Sequence, residues 1–352
     1  MPGKIIVHDK MTNNIYINSI KQISAQQPLT DEWFDNPLLY NEPYVRAIDV
    51  DYKHYFTPNE ARRFGKILKR ALLVSREAMK ESGVAHPDAI ITGTGLGCIE
   101  NTEIFLDKLV REGEELLNPT HFMQSTHNTI SSLIAIDSKC HAYNTTYAHK
   151  GISFECALQD AFLQMQAGKI QTALVGAHDE MTPTYFSLLK KAGHLGNENQ
   201  TFAGETAVTM MLSTEKTENT LCKIENIDMR YETNRFESRK ISNLISNNLK
   251  FQIDYIMVGT NGVEENDQVY FENCKRLFPS VPLLQYRNIF GESYTASALG
   301  VYAAAICLHK GKIPGHLFLE SRSGNQKTKQ FNKILCYNQC EGKNHTFTVL
   351  TK

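Results

Sequence analysis

Asn144-Thr-Thr-Tyr-Ala-His-Lys-Gly151 runs into Ser153–Ala167, where apolar residues recur at helical spacing until Gly168 stops them. Thr172–Ala177 follows as a buried strand. Strands alternating with helices define an α/β layered class, and the same alternation extends in both directions from this stretch.

Upstream, Asn14–Ile20 reads as a short strand. Thr57-Pro-Asn-Glu60 opens a helix, with Thr57 as cap, Pro58 at the first helical position and Glu60 completing a capping box. Ala61, Phe64, Ile67, Leu68, Ala71, Leu72, Ala78 and Met79 continue on one face, and Gly83 is the expected stop. The basic residues Arg62, Arg63, Lys66, Lys69 and Arg70 are expected on the solvated face of that helix. Ala89–Gly97 reads as a buried strand entering a glycine-rich turn, followed by helices near Glu100–Glu114 and Thr126–Ile136.

Downstream, Phe202–Leu212 reads as a strand closing a first half, and polar Ser213–Asn219 as the seam, giving units 1–215 and 216–352. The second half predicts a helix over Asn234–Asn248, a strand over Tyr255–Val258 and a helix over Gln268–Phe278. A further helix over Ser293–His309 carries Ala296, Ser297, Ala298, Gly300, Ala303, Ala304 and Ala305. So many small residues predict a helix packed between layers.

With 352 residues, 41% hydrophobic and 21% charged, the composition is that of a globular protein with a sizeable core. A net charge of −1 gives no reason to expect nucleic acid or an acidic membrane surface as partner. No apolar run reaches transmembrane length, and no secretory signal is visible. Eight cysteines without a regular framework predict reduced thiols in a cytoplasm.

GTGLG (93–97), Asn128 with Ile134-Ala-Ile136, Asn144 to Gly151, LVGAHDE (174–180), FAGETA (202–207) and RNIFGE (287–292) carry a family pattern. In order and spacing they resemble the β-ketoacyl synthases over roughly residues 55–350. The resemblance implies the thiolase-like α/β fold: two related halves in five-layered α/β/α/β/α packing around a central helix pair, dimerising through the first half. It also implies a cysteine that takes an acyl group as thioester and two histidines that assist decarboxylation and stabilise the enolate.

Those residues are absent. Two family spacings, counted forward from Asn144 and back from Gly176, both place the nucleophile at Gly151. The first histidine position falls at Gly259 or Asn261 and the second at Glu292, with Arg287 where the family has lysine. No histidine occurs between His194 and His309, whatever the alignment. Arg287 and Glu292 are expected to form an ion pair. The family's glycine-rich gating loop corresponds to Asn338–Asn344, where Gly342 and Asn344 remain.

Cys156, five residues beyond Gly151, is rotated about 140° around a helix and reads as a buried structural cysteine. Cys336 and Cys340 read as reduced thiols. GTGLG lacks the later features of a dinucleotide site and reads as a tight turn. His121, His127, Cys140, His141 and His149 match no compact zinc spacing, so no metal and no cofactor are expected.

The expected function is a catalytically inactive partner of an active ketosynthase, of the chain-length-factor type, in polyketide, polyene or fatty-acid-type elongation. The expected partners are that ketosynthase, in a heterodimer, and an acyl carrier protein, for which the basic helix offers a surface. One alternative is an active acyltransferase or decarboxylase using His149 or Ser153. Another is a homodimeric scaffold or lipid-binding protein.

Overall fold

The computed structural model describes residues 13–114, 117, 119–195, 200–232, 252–319 and 330–352. The helix expected over Asn234–Asn248 lies outside the described residues. Among the described residues ten strands form one mixed sheet: β1 (Ile15–Ile23), β2 (Ala89–Gly93), β3 (Tyr143–Tyr147), β4 (Thr172–Asp179), β5 (Thr206–Ser213), β6 (Cys222–Tyr231), β7 (Tyr255–Val258), β8 (Leu283–Gln285), β9 (Lys333–Cys340) and β10 (Asn344–Thr351). Their order is β3-β2-β4-β5-β1-β6-β10-β9-β7-β8.

β1 and β6 meet antiparallel at the centre, Ile15 opposite Ile224 and Ile17 opposite Cys222. Outward from that contact the same pattern runs on both sides. Two antiparallel pairings (β1–β5 and β5–β4; β6–β10 and β10–β9) give way to two parallel ones (β4–β2 and β2–β3; β9–β7 and β7–β8). The chain therefore builds one topology twice.

The α-helices among the described residues are α1 (Pro58–Arg63), α2 (Lys66–Ser82), α3 (Ile99–Glu112), α4 (Pro119–Ser125), α5 (Thr129–Asp137), α6 (Ser153–Gln166), α7 (Pro183–Lys191), α8 (Glu264–Leu277), α9 (Arg287–Phe290) and α10 (Ser297–Lys310). Side chains alternate across each strand, and the alternation sorts the core into layers. Ile91, Val175 and Met210 join α6 and α10 in a central cluster. Ile90, Leu174 and Met211 face α2 and α5 on the other side. Ile256, Val258 and Leu335 pack against Tyr270 and Cys274 of α8. The result is the five-layered thiolase-like arrangement that the sequence led us to expect.

α10 is buried from Ser297 to Leu308, as its small residues predicted. Gly300 is required there, because an added Cβ would lie 2.7 Å from the Tyr286 ring. Trp33 anchors the N-terminal segment onto the same helix: it is 1% exposed, and its indole N–H donates to Tyr302 Oη at 2.9 Å. Trp33→Ala is expected to cost about 3–5 kcal/mol, measurable by chemical denaturation followed by far-UV circular dichroism.

Three local expectations are corrected. The capping box of Thr57 and Glu60 forms, and Gly83 ends the run in a left-handed conformation. Phe64, however, is extended, so the expected single helix is two, and Gly65 caps the second. Arg70 is not part of the solvated basic face but is 1% exposed. It binds Asp49 (Nε–Oδ1 2.6 Å) and Glu205 (Nη1–Oε2 2.9 Å), two carboxylates remote in sequence. The expected helix at Ser293 begins at Ser297, after a turn held by Thr295 Oγ1 donating to Asp179 at 2.8 Å.

Candidate functional site

The first-half part of the site lies where β3 passes into α6. Lys150–Ile152 make one 3-10 turn, with Lys150 at φ 47°, a left-handed conformation that costs a non-glycine residue of order 1 kcal/mol. The turn is pinned by Ser153, whose hydroxyl accepts from the His149 amide and donates to the Lys150 carbonyl, both at 2.7 Å. Ser153 is fully buried in this role, and its hydroxyl is committed to the turn. The His149 side chain is exposed. Cys156 lies further along α6, and burial pushes its thiol up to about 11.

β2 passes unusually close to this helix start. A Cβ on Gly93 would lie 2.5 Å from the Ser153 carbonyl carbon and oxygen. Gly93→Ala therefore has to displace α6 or β2, at an expected cost of about 1–3 kcal/mol, read as a lowered denaturation midpoint. Beyond Gly93 the glycine-rich turn wraps a buried carboxylate: Thr94 Oγ1 and the amides of Gly95 and Leu96 all donate to Asp179 Oδ1 at 2.9 Å. The tight turn expected from GTGLG is thus organised by an aspartate that the sequence reading had not singled out.

The second-half part is a polar network. Arg287 Nη1 is 2.9 Å from Glu292 Oε2, so the expected ion pair forms. Arg287 also donates to the Gly259 carbonyl, and Asn261 Nδ2 donates to Glu292 Oε2 at 3.2 Å. The sequence left the first histidine position open between Gly259 and Asn261. A Cβ on Gly259 would lie 3.0 Å from the Arg287 guanidinium carbon, whereas the Asn261 side chain reaches Glu292. Burial raises the Glu292 carboxyl from its ordinary value, although Arg287 and Asn261 draw it back. Burial penalises the charge on Arg287, but the neighbouring Glu292 outweighs it and the guanidinium stays protonated.

α6 and β9 form the seam between the two parts. Asn338–Asn344 is not an extended gate: Asn338–Cys340 end β9, and a tight hairpin turn leads to β10 at Asn344. Asn338 Nδ2 donates to both the Gly151 carbonyl and Glu155 Oε1, each at 2.8 Å. Tyr270 Oη donates in turn to Asn338 Oδ1 at 3.1 Å. Glu155 is fully enclosed, and burial pushes its carboxyl up to about 7. The Ser297 hydroxyl flanks it without meeting hydrogen-bond geometry, and Glu155 Oε2 has no partner. A cavity of about 10 Å³ opens between Glu155, Tyr286, Ser297 and Asn338, room for one water.

Residues 52–264 match the family model for the β-ketoacyl synthase N-terminal domain. That is more than half of the chain, and the chain belongs to the β-ketoacyl synthase family. No curated protein matches the sequence significantly. Among solved structures, the ishigamide ketosynthase/chain length factor superposes with a TM-score of 0.78 at 15% identity, covering 97% of this chain and 99% of that one. The ketosynthase ApeO in complex with its chain length factor ApeC from Xenorhabdus doucetiae gives 0.76 at 13% identity, covering 98% and 100%. A β-ketoacyl synthase from Burkholderia phymatum STM815 gives 0.75 at 12%, covering 97% and 99%. At such identities these structures establish the fold.

Proposed function

We propose that the chain is a catalytically silent β-ketoacyl synthase homologue that pairs with an active ketosynthase, as a chain-length factor does. The observation that carries this reading is the network of Arg287, Glu292 and Asn261, together with Gly151 at the nucleophile position. Condensation requires a thiolate nucleophile and donors for the developing oxyanion. An ionised glutamate bound to arginine accepts hydrogen bonds and donates none. It also repels the carboxylate of a malonyl-type extender. Two solved structures of the same fold are described as a ketosynthase/chain length factor and as a ketosynthase in complex with its chain length factor, which supports a paired role.

The face for such pairing is the β3 edge. Among the described residues β3 pairs with β2 alone. Around it α3, α4 and α5 expose Leu106, Val110, Phe122, Met123 and Ile136, and β3 itself exposes Tyr143. An open edge strand beside clustered apolar side chains is a surface that monomers avoid and partners cover. In this reading the partner ketosynthase covers it, and Phe122 and Met123 help to shape the partner's acyl tunnel. An acyl carrier protein delivers the chain, with Arg62, Arg63 and Lys66 on the exposed basic face. In this reading the protein works in a reducing cytoplasm, where cysteines without a regular framework stay reduced.

The test is co-expression with a ketosynthase from the same organism that retains its cysteine and histidines. The two are expected to co-purify as a heterodimer and to elongate a carrier-bound chain, with no condensation by this chain alone. Condensation by the isolated chain at the rate of the pair would overturn the reading. Phe122→Glu combined with Met123→Glu is expected to weaken the heterodimer at least tenfold, measured by size-exclusion chromatography across a dilution series. Gly151→Cys alone is expected to leave condensation absent, because Asn261 and Glu292 remain.

A further inference from the structure

We propose that one water molecule is bound at the seam between the two halves, shared by Glu155 of α6, Tyr286 beyond β8 and Ser297 of α10. All three residues are at most 5% exposed. Glu155 Oε2, Tyr286 Oη and Ser297 Oγ each have no hydrogen-bond partner within the protein, and the three residues line the same cavity of about 10 Å³. One enclosed polar atom without a partner is unfavourable. Three around a single cavity call for a common partner.

The chain fixes each of these groups by separate contacts. Tyr286 is wedged between two glycines: a Cβ on Gly300 would lie 2.7 Å from its ring, and a Cβ on Gly259 would lie 2.9 Å from its hydroxyl. Glu155 is anchored through its other oxygen, Oε1, which accepts from Asn338 Nδ2 at 2.8 Å. That amide also donates to the Gly151 carbonyl, so both of its N–H groups are spent and none remains for Oε2. Ser297 is the first residue of α10, and Met257 and Val301 close the space with apolar surface.

Volume and ligand count decide the occupant. A space of about one water probe excludes any acyl or other organic group. A buried water makes about three hydrogen bonds, and the cavity offers three unpartnered oxygens. A hard cation takes about six to eight oxygens, and the Arg287 guanidinium already acts on Glu155 as a fixed positive charge.

Water also suits either charge state of the carboxyl, because it donates two hydrogen bonds and accepts two. A protonated Glu155 donates to it, as does one hydroxyl, and the water donates to the other. An ionised Glu155 accepts from it, and both hydroxyls donate to it. Burial raises the titratable groups around Glu155, namely Tyr270, Tyr286, Cys156, Cys336 and Cys340, so they stay uncharged near neutral pH. The water thus extends the chain of Tyr270, Asn338 and Glu155 to Tyr286, the residue before Arg287. The polar seam becomes continuous from the Gly151 turn to the Arg287–Glu292 pair.

The test is a high-resolution crystal structure of the full chain, joined to urea denaturation of Tyr286→Phe, Ser297→Ala and the double variant. One water is expected within about 3.2 Å of Glu155 Oε2, Tyr286 Oη and Ser297 Oγ. The two hydroxyls do not bond each other, so independent effects on the unfolding constant would multiply. A shared water instead leaves the double variant's unfolding constant at least about threefold below that product. A dry cavity, a direct hydrogen bond between Ser297 and Glu155 that closes it, density with the coordination of a cation, or effects that multiply would overturn the proposal. Wild-type density decides the occupant even where a variant fails to fold. Neither readout requires a ketosynthase, so this proposal and the pairing proposal fail separately.

Discussion

Arg287→Met on its own is expected to destabilise the protein by about 3–5 kcal/mol, and the addition of Glu292→Leu is expected to restore most of that loss. Arg287, the first residue of α9, and Glu292, just beyond that helix, have side chains 7% and 16% exposed. Removing one partner leaves the other charge enclosed with its solvation lost. Removing both exchanges an ion pair for apolar contacts, which is commonly neutral or favourable. Gly259 and Asn261 each lose one hydrogen-bond partner in the double variant, which limits the recovery. Urea denaturation at pH 7 measures the difference. A single variant that costs under about 1 kcal/mol, or a double variant no better than the single, would show that the pair does not hold the emptied site together.

Glu155→Gln is expected to make the protein more stable than the wild type at pH 8, by about 1–3 kcal/mol, and about equally stable at pH 5. The folded-state pKa of Glu155 is about 7, raised from 4.5 by burial. Between those values the folded state holds a proton that the unfolded state releases. Wild-type stability therefore falls as pH rises from about 5 to about 8. Glu180, pushed up to about 8 by burial, contributes in the same direction. Glutamine keeps the acceptor for Asn338 and never has to ionise, so its curve should be flatter. Thermal unfolding across this pH range checks it. An equal slope in both proteins, or a variant weaker at pH 8, would mean that Glu155 is not the enclosed carboxyl the structure shows.

Much of the fold was legible because its signals are local. The capping box at Thr57, the glycine stop at Gly83 and the small-residue run of α10 each act within a few residues, and each appears in the structure. There are two exceptions, one set by contacts distant in sequence and one by an adjacent glycine. Arg70 continues a basic series along α2, but Asp49 and Glu205 draw it into the core. Phe64 carries the apolar period of a helix but takes an extended conformation, because Gly65 starts a second helix there.

The candidate site divides in the same way. Sequence alone showed that no histidine lies between His194 and His309 and that Arg287 and Glu292 can pair, and two counts along it are the ground for proposing Gly151 at the nucleophile position. Those are matters of register and residue type, and a single chain displays them. Only the tertiary structure decided that Asn261 closes onto Glu292, that Asn338 ties Gly151 to Glu155, and that Cys340 fills the gap beside Gly151. Gly151 and Asn338 are 187 residues apart. They meet because β9 packs against the turn before α6, although β3 and β9 stand far apart in the sheet. No period or spacing in the sequence encodes that distance, because it is set by how two sheet halves pack on one central helix layer.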